Sequence, residues 1–420
     1  MPPCDVDLFA VRVDNWVTDL LKEGVSNFSD MLLALPGVYP SVVVASLRRI
    51  AEEGTLSRVG LTRILSQTRK KPIATQSQPY HSISLPVPHP LDFEWRFSGA
   101  ASKHILARCS QLVNDNELIT FLGTPSLFRT AIEEHFSGHF VFVGDKTIVS
   151  ESLSTAVPDR KVLCCNVISD EQLPLLSSVV VLDPPWYEDY IYPFLWMATQ
   201  CCKLDGHILI SLPAEGTRPG IQHEWAVILK WAKTLGLSFF MREVSAVPYS
   251  SPFFEQNALK AEGICNYPRE WRRGDLIIFK HTRRKETARP QIPQRDDWTE
   301  ICLEDIRVRV RYSSESQFAD PLLITITQGD ILPSVSRKDP RRALADVWTS
   351  GNRIFGCKGT SIFAIILQAL KNRQQPSKVV AQHIGSSLKR NELKLIDRTS
   401  AQIRTIIKME KKEYLRSEAR

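Results

Sequence analysis

The sequence predicts an α/β protein built on a doubly wound, mostly parallel sheet, and three observations carry this prediction. Strand-like and helix-like segments alternate between residues 99 and 282. The run Val179–Leu182 is wholly apolar, as is typical of a strand buried on both faces at the centre of such a sheet. That strand ends in Asp183-Pro184-Pro185, and the prolines fix a turn there because they cannot continue a ladder. Open α/β sheets bind their ligands at this carboxyl edge.

The first 98 residues predict a small helical module and a linker. Residues 1–72 show three segments of helical periodicity and then a short extended segment around Gly54, an arrangement similar to a winged helix-turn-helix. Arg48 and Arg49 are its obvious phosphate contacts, but such modules also serve in packing and dimerisation, so DNA binding stays open. Residues 73–98 are polar and proline-rich, which predicts a linker; its aromatic end, residues 89–97, either packs on the next domain or covers a ligand.

Seven strands are predicted in the domain of residues 99–282, and the last two are expected to form an antiparallel pair. Helices are expected between most of them, including residues 188–203 and 222–235. The strands are expected at residues 117–122, 140–143, 161–165, 178–182, 206–211, 238–244 and 276–279.

The motif Asp183-Pro184-Pro185-Trp186 resembles motif IV of amino-group methyltransferases that use S-adenosylmethionine. This resemblance implies that Asp183 and the Pro184 carbonyl hold the target NH2 group while Trp186 stacks on the base or side chain. Tyr187 is a candidate substrate contact, although it also suits simple packing. The seven strands likewise resemble the class I, Rossmann-like methyltransferase fold. The competing interpretation is a strand-ending turn with no chemistry.

The same resemblance implies S-adenosylmethionine as the cofactor, bound at the ends of the first three strands. The turn after the first strand faces the methionine end in that family, an acid after the second takes the ribose hydroxyls, and a polar residue after the third contacts adenine. Here the first turn has one glycine where the family usually has two or three. The candidate cofactor-binding residues are Gly123, Thr124, Pro125, Asp145, Asn166 and Asp170.

Two other functions remain open. The branched-chain polyamine synthases, which are aminopropyltransferases, also pair a winged-helix-like domain with a Rossmann-like domain and an Asp-Pro-Pro-aromatic motif. Their acid-rich turn after the first strand is absent at Gly123-Thr124-Pro125, so methyl transfer is favoured. The third possibility is a catalytically inactive component that binds nucleic acid.

Loops after the late strands supply further candidate substrate contacts, since such loops often shape the acceptor pocket. Phe254 and Glu255 belong to a proline- and aromatic-rich loop, and Arg272 follows a tryptophan shortly after it. Arg218 lies in a glycine-containing loop, residues 214–220, that is expected to be flexible and to act as a lid. An internal salt bridge is the alternative role for Glu255 and Arg272.

Charge and composition complete the sequence-based prediction. The formal charge is +7, yet residues 283–420 carry eleven more basic than acidic side chains, which predicts a basic α+β domain. This charge suits a polyanionic partner such as nucleic acid and a merely solvated surface equally well. Within it, Ile306–Arg311 alternates strictly and predicts a half-buried strand with one basic face. The nine cysteines lack metal-ligand spacing and predict buried thiols in a reducing compartment, with no metal site. No apolar run approaches twenty residues, so we expect a cytoplasmic protein without a membrane partner.

Overall fold

The apolar run at residues 177–182 is a central strand of an eight-stranded sheet in a computed structural model of the chain. The structure describes residues 5–66, 83–157, 161–165, 173, 175–291, 297–314 and 317–418. The chain divides into two compact units, each built from three separate segments. The first unit contains Met1–Pro86, Trp95–Ser251 and Asn266–Pro293; the second contains Val87–Glu94, Pro252–Cys265 and Gln294–Arg420. The contiguous domains drawn from the sequence stay a prediction, whereas this division interleaves the two units along the chain.

The first unit consists of nine helices and eight strands within its described residues. Its helices are α1 (Asp5–Lys22), α2 (Phe28–Ala34), α3 (Pro40–Glu52), α4 (Arg58–Ser66), α5 (Gly99–Leu112), α6 (Pro125–Glu133), α7 (Ile148–Ala156), α8 (Glu188–Cys201) and α9 (Ile221–Thr234). Its strands are β1 (Arg96–Phe97), β2 (Leu118–Leu122), β3 (His139–Gly144), β4 (Val162–Cys164), β5 (Ser177–Leu182), β6 (Cys202–Pro213), β7 (Leu237–Ser250) and β8 (Arg273–His281).

The sheet confirms the predicted doubly wound architecture. Its order is β1-β7-β8-β6-β5-β2-β3-β4; strands β6, β5, β2, β3 and β4 pair in parallel, and β8, β7 and β1 continue the sheet in antiparallel pairs. All seven predicted strands are present, and the short β1 adds an edge strand that the sequence did not predict.

The continuous apolar pattern of β5 follows from cores on both faces of the sheet. Val180 and Leu182 pack into one core with residues of α8 and α9, while Val179 and Val181 pack into the other with residues of α5 and α6. All four side chains are at most 1% exposed, and each such burial contributes about 1.5–3 kcal/mol of hydrophobic free energy. This packing fixes the position at which β5 ends and Asp183 begins.

The N-terminal part of the first unit is helical, as predicted, but it differs from the predicted winged module in one respect. The expected extended segment around Gly54 is a turn that leads into α4, and residues 5–66 contain no strand, so the winged part of the module is not confirmed in this range. Arg49 pairs with Asp14 through bonds of 2.7 and 2.9 Å, and this pairing raises the pKa of the guanidinium. Arg49 therefore secures α3 to α1 and is not available as the phosphate contact that we expected.

The second unit is α+β. It contains an antiparallel five-stranded sheet in the order β11-β13-β12-β10-β9, packed with long helices. Its helices are α10 (Phe253–Ala261), α11 (Thr360–Lys371), α12 (Pro376–Ile384) and α13 (Arg390–Glu418), and its strands are β9 (Trp298–Leu303), β10 (Ile306–Arg311), β11 (Ile324–Thr325), β12 (Val347–Thr349) and β13 (Ile354–Gly356).

The basic face of β10 is paired with acids inside the second unit, which corrects its expected role in binding a polyanion. Arg307 is 0% exposed; it donates to Asp92 at 2.7 Å and pairs with Glu300. Arg309 donates to the same two carboxylates at 2.5 and 3.1 Å. Arg307 and Arg309 therefore stabilise the interior of the second unit. A basic surface of residues 283–420 must be formed by other side chains.

Two further observations concern the exposure of the cysteines and the length of the helices. Cys164 and Cys265 are exposed, contrary to the expectation that the cysteines are buried, while Cys109, Cys201 and Cys202 follow it. Among the helices in the described parts of the chain, none combines the length and the apolar character needed to cross a membrane.

Candidate active site

The carboxyl ends of the parallel strands bring three of the singled-out turns, and Ser211 of β6, to one edge of the first unit's sheet. Gly123 follows β2, Asp145 follows β3, Asp183 follows β5, and Ser211 lies near the end of β6. The strands are neighbours in register, so polar side chains at their ends lie along a single edge. The sequence-based placement of these turns is thus reproduced.

Asp183 is held by a hydrogen-bonded chain of side chains from β6 and β7. The Tyr249 hydroxyl on β7 lies 2.6 Å from Asp183 Oδ1 and 2.7 Å from Ser211 Oγ on β6. Tyr249 is 1% exposed and Ser211 1%, which fixes the hydroxyl in place. Tyr249 therefore orients Oδ1 of the Asp183 carboxyl. The Pro184-Pro185 turn fixes the backbone that follows Asp183.

Burial raises the pKa of Asp183 to about 8, although the Tyr249 hydrogen bond and the nearby Arg272 charge act in the opposite direction. The same burial, with the adjacent carboxyl, raises the pKa of Tyr249 well above its ordinary value, so Tyr249 stays a hydrogen-bond donor. A carboxyl with a pKa near the working pH suits a group that takes up a proton during reaction. Asp183 is therefore a hydrogen-bonded carboxyl with a raised pKa, unlike an ordinary acid in a surface turn.

Aromatic rings surround this carboxyl, and two of them hold a cation. Trp186 is 5% exposed and meets Tyr249 edge to face at 5.4 Å, and Trp95 meets the same ring edge to face at 6.4 Å. The Arg272 guanidinium lies 4.1 Å from the Trp95 ring centroid and 4.2 Å from that of Trp186. We call Trp95 and Trp186 the indole cage; it accommodates one flat cationic group beside Asp183.

Arg218 holds the Asp183–Trp186 motif in place. Its Nη2 donates to the Trp186 backbone carbonyl at 2.6 Å, its guanidinium pairs with Glu224, and it lies 5.8 Å from the Tyr187 ring centroid. The loop of residues 214–220 is anchored as well, because Gly216 donates to the Pro36 carbonyl at 3.0 Å. Instead of the flexible lid that we expected, the structure shows a loop fixed at two points, in which Arg218 positions Trp186.

The turn after β2 has the geometry of a close-approach site. Gly123 has φ +66°, and a Cβ there would lie 2.9 Å from the Phe194 ring. Thr124 is 1% exposed, and its hydroxyl has no hydrogen-bond partner among the described residues. Pro125 begins α6, where a missing N–H is tolerated. A buried hydroxyl and a helix N-terminus at this edge suit a polar or anionic ligand group.

The remaining residues predicted for the cofactor and substrate sites do not all lie beside Asp183. Asp145 ends β3, and its backbone carbonyl accepts a bond of 2.8 Å from Ser150. Asn166 and Asp170 lie outside the described residues. Phe254 and Glu255 belong to the second unit, where they are buried in α10, so the predicted loop between late strands is a helix there.

Sequence reasoning missed three participants in this arrangement. Trp95, Ser211 and Tyr249 were within noted segments but were not singled out. Tyr249 carried a signal, because a tyrosine at the end of a late strand beside prolines has its hydroxyl near the sheet edge. Trp95 carried a weaker one, since an aromatic cluster closing a polar linker indicates a docked segment.

The sequence matches no protein-family model and no curated protein. The fold, in contrast, has solved counterparts. A mutein of the branched-chain polyamine synthase from Thermus thermophilus, in complex with N4-aminopropylspermidine and 5'-methylthioadenosine, superposes with a TM-score of 0.50 at 11% identity, over 67% of this chain and 90% of that one.

Methyltransferases are also among the similar structures. A putative RNA methyltransferase from Pyrococcus horikoshii has a TM-score of 0.33 at 15% identity, over 46% of this chain and 90% of that one. A TehB-like methyltransferase dependent on S-adenosylmethionine, from Corynebacterium glutamicum, has a TM-score of 0.30 at 12% identity, over 43% and 88%. At 11% identity the likeness to the polyamine synthase concerns the fold alone.

Proposed function

We propose that this protein transfers an alkyl group from a cofactor of the S-adenosylmethionine type to an amino nitrogen held at Asp183. The observation that carries the proposal is the Asp183 carboxyl itself. It terminates a central strand, is oriented by Tyr249 at 2.6 Å, has a pKa raised to about 8, and lies beside the indole cage.

The residues at the neighbouring strand ends fit such a cofactor. Thr124 offers a buried hydroxyl that lacks a partner among the described residues, and Gly123 allows close backbone approach. Asp145, at the end of β3, is the acid that would take the ribose hydroxyls, and Pro125 opens the helix whose N-terminus would face a carboxylate. When bound, the cofactor supplies a carbon attached to a sulfonium, which is open to attack by a nitrogen lone pair.

Asp183 and the Pro184 carbonyl would accept the two amino hydrogens, which aims the nitrogen lone pair away from them. The nitrogen would form its new bond to the cofactor carbon while the C–S electron pair left with sulfur, and one N–H proton would become acidic. That proton passes to Asp183 Oδ, whose raised pKa makes the carboxylate a better base than an exposed aspartate. Tyr249 keeps the carboxylate aligned during the transfer.

The first candidate reaction is methyl transfer to an exocyclic amine of the adenine N6 type on nucleic acid. Trp186 is the motif aromatic, and its ring carries a flat group on its face in this structure. A base would replace the Arg272 guanidinium in the indole cage, and in a duplex it must first be flipped out of the stack. The buried Trp271 N–H, without an acceptor among the described residues, offers a hydrogen bond to such a base.

A second candidate is aminopropyl transfer to a polyamine nitrogen, and a specific observation favours it. The cage beside Asp183 already holds a cation, and a site that suits a guanidinium also suits an ammonium. The polyamine synthase that shares this fold was solved with N4-aminopropylspermidine. In this case the donor is decarboxylated S-adenosylmethionine, and Asp183 takes the proton of the attacking amine.

Calorimetric titration with both forms of the cofactor tests the shared step. We expect one form to bind wild type and to lose at least tenfold affinity in Asp145→Ala, because a bidentate contact to the ribose is removed. Preference for the carboxylated form supports methyl transfer, and preference for the decarboxylated form supports aminopropyl transfer. Binding of neither form would contradict the proposal and leave an inactive nucleic-acid-binding protein.

The acceptor is tested with Arg272→Ala and the charge-conserving control Arg272→Lys. A cationic acceptor competes with the guanidinium for the cage, so Arg272→Ala should lower its KM while Arg272→Lys should not. A neutral base also needs the guanidinium to leave the cage, but it does not compete with a charge, so its KM should fall in both Arg272→Ala and Arg272→Lys, because lysine lacks the flat group that fills the cage. Unchanged KM in both variants would show that the indole cage is not the acceptor site.

A further inference from the structure

The outer face of α13 carries a continuous stripe of cations. The helix runs from Arg390 to Glu418, and residues spaced four apart recur on the same face. The exposed basic side chains on this face, called the basic stripe below, are Arg390, Lys394, Arg398, Arg404, Lys408, Lys412 and Arg416. At 1.5 Å per residue the stripe is about 39 Å long.

The basic stripe is not neutralised by the protein. None of its seven members forms an ion pair with another residue that the structure describes, in contrast to the buried arginines of β10. Asp397 is the one acid among the exposed residues of this face. The acids Glu410 and Glu413 point the other way and pair with Arg353. The cations are thus segregated from the acids around the helix.

This segregation works against the helix itself. Five pairs of the stripe are separated by four residues and carry like charge, which destabilises an isolated helix. A helix that served only as solvated surface would gain from acids alternating with these cations, as in the i, i+4 pairs that stabilise exposed helices. A row of phosphates would relieve the repulsion of all five pairs together.

The packed face of α13 decides between nucleic acid and a lipid surface. Membrane-surface helices bury an apolar face in the lipid. In α13 that face is already used, because Ile396, Ile403 and Ile407 are at most 3% exposed within the core of the second unit. On its outer side α13 exposes Leu393, Met409 and Leu415 singly among its charges, and they form no continuous apolar face for a lipid surface. The length of the helix is close to one turn of duplex DNA, about 34–36 Å.

We propose that the basic stripe of α13 binds the phosphodiester backbone of nucleic acid, independently of base sequence. Lysine and arginine contacts to phosphates position a protein on nucleic acid without reading its sequence. The inference holds for either transfer reaction above, since the stripe belongs to the second unit and requires no cofactor.

The test is fluorescence anisotropy of the full-length protein with mixed-sequence DNA and RNA duplexes of about 20 base pairs, between about 50 and 200 mM salt. The stripe variant combines Lys394→Glu, Lys408→Glu and Lys412→Glu. We expect at least tenfold weaker binding and a salt slope smaller by about three, since each phosphate-contacting lysine contributes about one.

The matched control combines Lys230→Glu, Lys285→Glu and Lys358→Glu, which are exposed lysines outside the stripe. It changes the net charge equally, and we expect it to keep the wild-type salt slope. Equal losses in both triple variants, or wild-type binding by the stripe variant, would overturn the proposal. Stripe-dependent binding to phosphatidylserine vesicles without binding to nucleic acid would overturn it as well. Circular dichroism checks that each variant is folded. If the stripe variant with three Glu substitutions misfolds, the same three lysines are replaced by Gln, and the same loss of salt slope is expected.

Discussion

Replacing Asp183 by asparagine should stabilise the folded protein, and the gain should grow with pH. The pKa of this carboxyl is 3.8 in its ordinary state and about 8 in the fold, where burial disfavours the charged form. A group whose folded pKa is raised contributes stability at low pH and loses it as pH rises between the two values. Asparagine keeps the hydrogen-bond acceptor for Tyr249 but has no such titration.

The size of the effect follows from the difference between the pH and the ordinary pKa. At pH 7 the unfolded carboxyl is ionised and lies about three units above its pKa, so keeping it protonated in the fold costs about 4 kcal/mol. At pH 5 the same reasoning gives about 1.6 kcal/mol, and above pH 8 the difference levels off. These free energies are upper limits, because Asp183 is only partly buried by its surface area. The asparagine amide also loses hydrogen bonds to water on folding.

The assay is thermal unfolding of wild type and Asp183→Asn at pH 4, 5, 6, 7 and 8, with Asp145→Asn as a control at the same sheet edge. We expect the Tm difference for Asp183→Asn to be near zero at pH 4 and to rise steadily, while alkyl transfer falls. A gain that does not vary with pH, or a destabilisation that increases with pH, would refute the assignment of a buried, protonated Asp183.

Three further changes probe other parts of the structure. Tyr249→Phe removes the donor that favours ionised Asp183, so the acidic limb of the pH–kcat/KM profile should move upward by about one unit; an unmoved limb would separate Asp183 from catalysis. Gly123→Ala should lower stability by about 1–2 kcal/mol in denaturant unfolding, because φ is +66° and the new methyl would meet Phe194; full stability would mean that the turn relaxes freely. Arg307→Met should cost about 3 kcal/mol by the same measurement, since it leaves Asp92 and Glu300 to share the single charge of Arg309; a neutral result would show that those acids reach water.

The sequence was most informative where a pattern is local. Each strand of the parallel sheet is a continuous apolar run followed by a turn, so β2, β3 and β5 were predicted to within a residue or two. The end of β5 was predicted for the same reason, because two prolines fix it. These features depend on neighbouring residues alone.

The parts that were predicted wrongly depend on residues far apart in the chain. The alternation of β10 correctly indicates one charged face, but whether that face meets water or acid depends on Asp92, more than 200 positions away. The indole cage likewise requires Trp95, Trp186 and Arg272 to converge. Helix α10 was read as a loop because prolines and polar residues surround it, and the tertiary packing that buries Glu255 leaves no periodic signal.

The interleaving of the two units has a consequence for synthesis. Residues 87–94 and 252–265 belong to the second unit, yet they are made well before residues 294–420, which supply its sheet and most of its helices. During translation these two segments emerge before the strands and helices that complete the second unit. A ribosome stalled near residue 290 would therefore carry the first unit together with residues 87–94 and 252–265, whose packing partners in residues 294–420 are not yet made. The second unit is completed last, when Arg307 emerges and finds Asp92 already in place.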